Sequence, residues 1–215
     1  MFSNAQKILN ALGSKGNKKL NCTQMLKRIA NFDMRVSLYW TNHHFSTKVD
    51  KFFKSWVRLG DGYIWALFAI FVFLEMGGLE DWRRFVPVLC IALFSMVVSL
   101  GLYELIKLKT KRLRPCETDK RIKAEVPPLD KYSFPSGHTM NNLAVDSAVF
   151  FEVPHLGWIM FLLPLTWGLL RVYFGVHWLT DIVAGVFFGI VSFAIANIFW
   201  MLWMQGPLCR LLGLE

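Results

Sequence analysis

The sequence has few charged residues for its length. Asp, Glu, Lys and Arg make up 18% of the 215 residues, against 54% hydrophobic residues, whereas about a quarter of a soluble domain is usually charged. The apolar residues are concentrated in long runs, which excludes an ordinary soluble enzyme and indicates a membrane protein. The length is that of one domain.

Metal-binding patterns are also lacking. The four cysteines are widely scattered and no pair has the spacing of metal ligands; they are Cys22, Cys90, Cys116 and Cys209. No cluster of carboxylates suits Mg²⁺. Lysines interrupt the first 20 residues, so a cleavable signal peptide is not predicted. We therefore expect no metal and no other cofactor.

Positive charge is the main polar feature of the chain. The formal net charge is +9, and basic residues cluster before residue 60 and between residues 107 and 131. Nucleic acid is one partner for a basic protein, but a basic patch on a membrane protein more often faces anionic lipid headgroups. We expect the lipid bilayer, and no nucleic acid, as the partner.

The apolar runs predict an all-α fold, a polytopic transmembrane helix bundle. The spacing of apolar and basic residues before the first run predicts amphipathic helices at the membrane interface, split near residues 42–46. The predicted parts are a mobile polar tail at 1–23, amphipathic interfacial helices at 24–60, a transmembrane domain at 61–205 and a short C-terminal tail at 206–215. Five spans are expected, with a sixth to be sought in the amphipathic region; they are 62–79, 85–106, 138–153, 158–173 and 179–203.

Three polar clusters stand at span ends, where an apolar bundle would otherwise avoid them. Two crossings separate the second cluster from the third, so all three lie on the same side of the membrane and can converge. They are Lys107 to Pro115, Phe134 to His138, and Arg171 to Asp181.

These clusters contain the groups that bind and transfer phosphate. Lys107, Arg114 and Arg171 supply positive charge, and the planar fork of arginine suits phosphate oxygens. A helix that starts at Ser136 and Gly137 can present backbone N–H groups and its dipole to the same anion.

Two histidines then suggest a nucleophile and an acid. His177 and Asp181 are four residues apart and share a face if a helix runs through them. A carboxylate on one ring nitrogen leaves the other free to attack, and His138 can protonate the leaving oxygen.

Each feature has a structural interpretation when it is taken alone. Lysines and arginines at a span end, such as Lys109, Lys111 and Arg112, are usually headgroup contacts. Pro-Ser-Gly is usually a turn and a helix start. The joint occurrence of three basic groups, two histidines and a carboxylate at one membrane face favours a catalytic site.

The three-part pattern resembles the type-2 phosphatidic acid phosphatase and vanadium haloperoxidase superfamily. In this sequence it comprises Lys107, Arg114-Pro115, Pro135-Ser136-Gly137-His138, and Arg171 followed by His177 and Asp181. The resemblance implies a membrane lipid phosphatase that uses no metal.

The resemblance also implies a role for each matching residue. It makes His177 the nucleophile that forms a phosphohistidine, Asp181 its orienting partner and His138 the general acid. The phosphate would be bound by Lys107, Arg114, Ser136, Gly137 and Arg171. The family usually has Ser before the third-motif arginine, where this chain has Leu170, which removes one hydrogen bond but none of the ionic roles.

Two polar residues follow His138 along the same predicted helix face. Asn142 and Asp146 come one and two helical turns later. They are expected either to support the site from behind or to be packed within the bundle.

The leading function is hydrolysis of a lipid phosphate monoester or pyrophosphate. Candidate substrates are phosphatidic acid, phosphatidylglycerol phosphate, polyprenyl phosphate or diphosphate, and lipid A phosphate. One alternative is a lipid phosphotransferase that uses the same histidine, and another is a non-catalytic lipid-binding membrane protein. A vanadate-dependent haloperoxidase is disfavoured because the chain is a small membrane bundle.

Two arguments disagree on the side of the membrane that the site faces. With five spans, the basic N-terminal region and the loop 107–137 lie on one side, which the positive-inside rule places in the cytoplasm. The resemblance implies a periplasmic site in the inner membrane of a bacterium, as in many members. We expect the outward orientation and keep the cytoplasmic one as the alternative.

Overall fold

A computed structural model describes residues 21–213, and all regular elements among them are helices. The predicted tail at 1–23 lies almost entirely outside the described residues. The elements are α1 Cys22–Asn42, α2 Thr47–Leu59, α3 Tyr63–Glu75, α4 Trp82–Thr110, α5 Pro115–Thr118, α6 Gly137–Glu152, α7 Pro154–Tyr173, α8 Leu179–Phe199, a π-helical segment Trp200–Met204, and α9 Gln205–Leu212.

By its internal contacts the chain divides into two units, residues 1–32 and 33–215. The described part of the first unit, residues 21–32, contains the first half of α1 and is exposed throughout. The site and the helices around it belong to the second unit.

The apolar helices of the second unit have the length needed to cross a membrane. Within the described residues, three stretches meet the length and hydropathy of a span, namely Trp82–Thr118, Pro154–Tyr173 and Leu179–Leu212. Helix α3 has 13 residues, fewer than the roughly 20 that a span needs. It qualifies only together with α2, from which it is bent by 64°. Three or four spans are therefore supported. The predicted span at 138–153, where α6 has 16 residues, and a sixth span stay predictions.

Helix α6 is the central element of this unit. It packs against α4, α7 and α8, and most of its residues are buried. Glycines on the neighbouring helices allow this close approach: a Cβ at Gly189 would lie 2.7 Å from the carbonyl oxygen of Met140, and one at Gly168 would lie 2.5 Å from Thr139 Oγ1. Because α6 begins at the predicted Pro-Ser-Gly-His motif, its packing fixes the position of the site.

Helices α1 and α2 occupy the predicted amphipathic region, with the break at residues 43–46. Val57 of α2 is buried in an apolar cluster with Tyr173, Phe174 and Val176. The apolar face of α2 thus packs on protein at this point. Its placement at the membrane interface stays a prediction.

The C-terminal prediction was wrong in one respect. Residues 205–212, most of which were assigned to a short tail, form α9, which continues α8 through the π-helical segment. The helical stretch that contains the predicted fifth span therefore runs past Trp203 to Leu212.

Replacing Gly189 with alanine is expected to destabilise the bundle. The new methyl group would meet a backbone carbonyl of α6, which cannot move without shifting the helix, and overpacking of this kind costs about 1–3 kcal/mol. The melting temperature of the purified protein in detergent should therefore fall. Gly101→Ala is the matched control, because a Cβ there meets no atom within 4 Å; an equal loss in both variants would contradict the packing role of Gly189.

Candidate active site

A cavity of about 400 Å³ lies where α4 ends, α6 begins and α7 joins α8. The residues that line it come from all three predicted polar clusters and from the α2–α3 junction. They include Asp61, Tyr103, Arg114, Asp130, Gly137, His138, Asn142, Arg171 and His177. The folded chain therefore brings most of the predicted site residues to one place.

His177 lies on the turn between α7 and α8 and is buried between a carboxylate and a guanidinium. Its Nδ1 is 3.2 Å from Asp181 Oδ2, and its Nε2 is 3.3 Å from Arg114 Nη1. A guanidinium can only donate, so Nε2 is the acceptor and Nδ1 carries the proton. The lone pair of Nε2 therefore faces the cationic cavity.

The turn that carries His177 has a fixed shape. Gly175 has a φ of +71°, in the left-handed region that favours glycine. A Cβ at this position would also lie 2.7 Å from the carbonyl oxygen of Lys123. The turn joins α7 to α8 in five residues and places His177 at the cavity.

The charge state of His177 follows from its surroundings. Burial, together with the positive charges of Arg114, Arg171 and Lys107, holds the pKa of His177 well below its usual range. The imidazole is therefore neutral at neutral pH. A neutral imidazole with a free Nε2 is the form that can act as a nucleophile.

Asp181 accepts hydrogen bonds from two groups besides His177. Its Oδ2 accepts a hydrogen bond from the backbone N–H of Trp178 at 2.9 Å, and its Oδ1 accepts one from Arg112 Nη1 at 2.7 Å. The other arm of Arg112 donates to Asp33 Oδ2 at 2.6 Å. The prediction that Arg112 contacts lipid headgroups was thus wrong, because its guanidinium bridges two fully buried carboxylates.

Asp130, in the loop before α6, binds two of the predicted phosphate-binding cations. Its Oδ1 accepts hydrogen bonds from Lys107 Nζ at 2.5 Å and Arg114 Nη2 at 2.8 Å, while Tyr103 donates to Oδ2. Burial favours a raised pKa for Asp130, but the Lys107 and Tyr103 hydrogen bonds and the nearby positive charges outweigh it and lower the pKa. Asp130 therefore stays ionised.

The predicted cations differ in their exposure to the cavity. Arg114 and Arg171 line it, whereas Lys107 does not and also donates to the carbonyl oxygen of Tyr132. Arg171 is buried, and within residues 21–213 its guanidinium makes no hydrogen bond or ion pair; its Nε is enclosed without a partner. Arg171 is thus the cation of the three that an anion would satisfy.

His138 lies in the first turn of α6 and contacts a carboxylate that was not predicted. Its Nε2 is 2.9 Å from Asp61 Oδ1, in the short link between α2 and α3. Asn142, one turn later, donates to the carbonyl oxygens of His138 and Gly60 and accepts a hydrogen bond from Trp65. Asn142 therefore ties α6 to the α2–α3 link.

The remaining predicted residues lie at different distances from the cavity. Gly137 lines it. Ser136 is fully buried, and its backbone N–H donates to the carbonyl oxygen of Asp181 at 3.0 Å, so the expectation that this N–H would face an anion was wrong. Asp146 is buried within the bundle, and neither of its carboxylate oxygens has a hydrogen-bond partner among the described residues.

Four residues near the site escaped the sequence analysis, namely Asp33, Asp61, Tyr103 and Asp130. Each contacts a partner that is at least 23 residues away in the sequence and belongs to a different segment of the fold. The only sequence signal was a carboxylate in a short Gly-Asp-Gly link for Asp61, and one before the Pro-Ser-Gly-His motif for Asp130.

A larger cavity of about 1060 Å³ lies at the opposite end of the helices, lined in part by Glu75, Arg84, Glu152 and His155. It contains none of the predicted site residues. Among residues 21–213 there is also no group of three or more His, Cys, Asp or Glu side chains arranged to hold a metal ion. The smaller cavity is therefore the candidate active site.

Known proteins resemble this chain in sequence and in fold. The chain is 33% identical over 87 residues to phosphatidylglycerophosphatase B of Bacillus subtilis (strain 168), a match that covers 34% of this chain and 43% of that protein. The match thus spans less than half of the relative's length.

Two solved structures resemble the fold. One is the crystal structure of the first transmembrane PAP2 type phosphatidylglycerolphosphate phosphatase from Bacillus subtilis, with a TM-score of 0.57, 20% identity, and coverage of 80% of this chain and 86% of that one. The other is Aquifex aeolicus LpxE, with a TM-score of 0.56, 25% identity, and coverage of 76% and 93%.

The family assignment rests on the longest of the sequence matches. The family model of the PAP2 superfamily matches residues 88–205, which is more than half of the chain and includes all three motifs. With its fold and its clustered motif residues, this chain belongs to the PAP2 superfamily of membrane phosphatases.

Proposed function

We propose that this protein is an integral-membrane lipid phosphatase that works through a phosphohistidine on His177 and needs no metal. The observation that carries the proposal is the environment of His177. Its Nδ1 faces Asp181 and its Nε2 faces a cavity lined by Arg114 and Arg171. Such an imidazole is oriented and neutral, and it is directed at the place where an anion would be held.

The phosphate would bind between the two arginines of the cavity. Arg171 has no other partner among the described residues, so it offers its full charge. As phosphorus approaches His177 Nε2, a phosphate oxygen takes over the hydrogen bond that Arg114 Nη1 makes with that nitrogen. The guanidinium groups then stabilise the charge that builds on the equatorial oxygens.

The leaving group would be protonated by His138. The P–O bond of the ester breaks while the bond between phosphorus and His177 Nε2 forms, and His138 gives its proton to the departing oxygen. Water then attacks the phosphohistidine, gives a proton to His138 and releases inorganic phosphate. General acid catalysis of this kind contributes about 10²–10⁴-fold to the rate.

The identity of the lipid substrate is a separate and more specific question. The Bacillus subtilis sequence and structure that resemble this chain are both described as phosphatases of phosphatidylglycerophosphate, so that lipid is the first to test on this chain. Phosphatidic acid and polyprenyl phosphates belong in the same panel. Release of inorganic phosphate by purified protein in detergent measures each of them.

Replacing His177 with alanine should abolish turnover and the phosphoenzyme, because no other nucleophile lies at the same position. Rapid alkaline quenching, which preserves phosphohistidine, should trap labelled phosphate on the wild type but not on His177→Ala. His155→Ala is the matched control, since His155 is exposed and pairs with Glu75 at the opposite end. Turnover or labelling that survives in a folded His177→Ala variant would refute the mechanism.

Activity should persist in excess EDTA and fall with vanadate. The proposed steps use only protein charges, and vanadate can mimic the five-coordinate phosphoryl centre. Phosphate release is measured with EDTA, with vanadate, and with Mg²⁺ restored after EDTA. A loss with EDTA that Mg²⁺ reverses would contradict the metal-free mechanism.

The active site should face the periplasm of a bacterial inner membrane. In a background with the four cysteines replaced, Lys120→Cys lies beyond the C-terminal end of α4, on the site side, and Glu80→Cys lies before its N-terminal end; both positions are exposed. An impermeant thiol reagent should label Lys120→Cys in intact spheroplasts and Glu80→Cys only after permeabilisation. The reverse pattern would establish a cytoplasmic site.

A further inference from the structure

The contact between Asp61 and His138 extends the site beyond the three motifs. We propose that Asp61 is a positioning residue for proton transfer, which fixes the ring of His138 and stabilises its protonated form. This inference rests on the acid role of His138 in the proposed function. Asp61 lies outside the region 88–205 that matches the family.

The geometry leaves one ring nitrogen of His138 for the substrate. Asp61 Oδ1 lies 2.9 Å from Nε2, while Nδ1 makes no hydrogen bond with any residue that the structure describes. The side chain of His138 is 4% exposed and that of Asp61 is 32% exposed. An ionised carboxylate only accepts, so Nε2 carries a proton directed at Asp61, and Nδ1 is the atom that exchanges the second proton.

This arrangement mirrors the one around the nucleophile. Asp181 contacts Nδ1 of His177 and leaves Nε2 for phosphorus, whereas Asp61 contacts Nε2 of His138 and leaves Nδ1 for the leaving oxygen. Each carboxylate selects the tautomer that its histidine needs. The two pairs therefore divide the tasks of attack and proton transfer.

The link that carries Asp61 is held firmly over the cavity. A Cβ at Gly60 would lie 2.8 Å from the ring of Trp167 and 2.9 Å from the ring of His138. The carbonyl oxygen of Gly60 accepts a hydrogen bond from Asn142 at 3.2 Å, and Gly62 has a φ of +113° that other residues rarely adopt. Packing, a hydrogen bond and backbone conformation thus all set the position of Asp61.

The positive charges around His138 explain why a carboxylate beside its ring would be useful. His138 shares its cavity with Arg114 and Arg171, and their positive charges oppose protonation of the imidazole. A carboxylate in contact with the ring favours the charged form and offsets that effect. Within the described residues His138 is the only group with which Asp61 makes an ion pair, and the charge of Asp61 also acts on the nearby Arg171.

The proton balance follows from this assignment. In the first step the Nδ1 proton of His138 moves to the leaving oxygen as the ester P–O bond breaks and the bond between phosphorus and His177 forms. In the second step water attacks phosphorus, the P–N bond breaks and Nδ1 takes the proton of the water. The proton on Nε2 and the charge on Asp61 are unchanged throughout.

The test compares leaving groups rather than overall activity. kcat/KM reports formation of the phosphoenzyme, and an alkyl lipid phosphate needs the acid whereas an activated aryl phosphate does not. Asp61→Asn should lower kcat/KM by about 10–100-fold on the alkyl substrate and leave the aryl substrate nearly unchanged, as expected for partial loss of general acid catalysis. Asp61→Glu should restore part of the alkyl activity.

The controls separate positioning from folding. Asp81→Asn, which removes a carboxylate paired with Arg84 at the other end of the helices, should leave both substrates unaffected. His138→Ala should show the same substrate dependence as Asp61→Asn, and the double variant should be no slower than His138→Ala alone. Asp61→Asn should lose alkyl activity while its melting temperature and its inhibition by vanadate stay unchanged.

Three outcomes would overturn the inference. Equal losses on both substrates would make Asp61 merely structural. If Asp61→Asn keeps full activity on the alkyl substrate while His138→Ala is slow on it, Asp61 has no role in proton transfer. The proposed function then still stands. If His138→Ala itself shows no dependence on the leaving group, the acid role fails and the role of Asp61 fails with it.

Discussion

Basic side chains buried at one end of an apolar helix bundle must be compensated, because taking an ion out of water costs several kcal/mol unless it is paired. Here the compensation is specific. Asp130 accepts hydrogen bonds from both Lys107 and Arg114, and Arg112 bridges two aspartates that come from α1 and α8. The loop before α6 and Asp33 are thereby held at the end of the bundle. The ion pairs that compensate the buried charges thus also shape the cavity.

Helix packing is the second factor that sets the geometry of the cavity. Because Gly168 and Gly189 allow α7 and α8 to approach the backbone of α6, the start of α6 is fixed relative to the turn after α7. His138 and His177 therefore line the same cavity although they belong to different elements. Close helix contacts through small residues are the usual means of association in an apolar environment, where burial alone gives little preference for one partner.

The sequence predicted the features that depend on local spacing. The interval of four residues correctly indicated that His177 and Asp181 would pair, since it requires only one turn of structure. The apolar runs predicted the long helices, but not the continuation of α8 into α9. Contacts such as Asp61 with His138 could not be predicted, because 77 residues separate the partners and the pairing depends on the bend between α2 and α3.

Basic residues of similar appearance in the motifs therefore have different tasks. Arg112 lies among the residues that sequence alone assigns to lipid headgroups, yet both its arms hold carboxylates inside the protein. Lys107 belongs to the motif but is engaged by Asp130 and does not reach the cavity. Arg171 is buried and lacks a protein partner for its guanidinium among the described residues. An unpaired buried cation is costly to a folded protein, and its retention is understandable if an anionic group of the substrate completes the site. The unpaired charge of Arg171 is thus a better guide to the phosphate-binding position than the number of basic residues in the motifs.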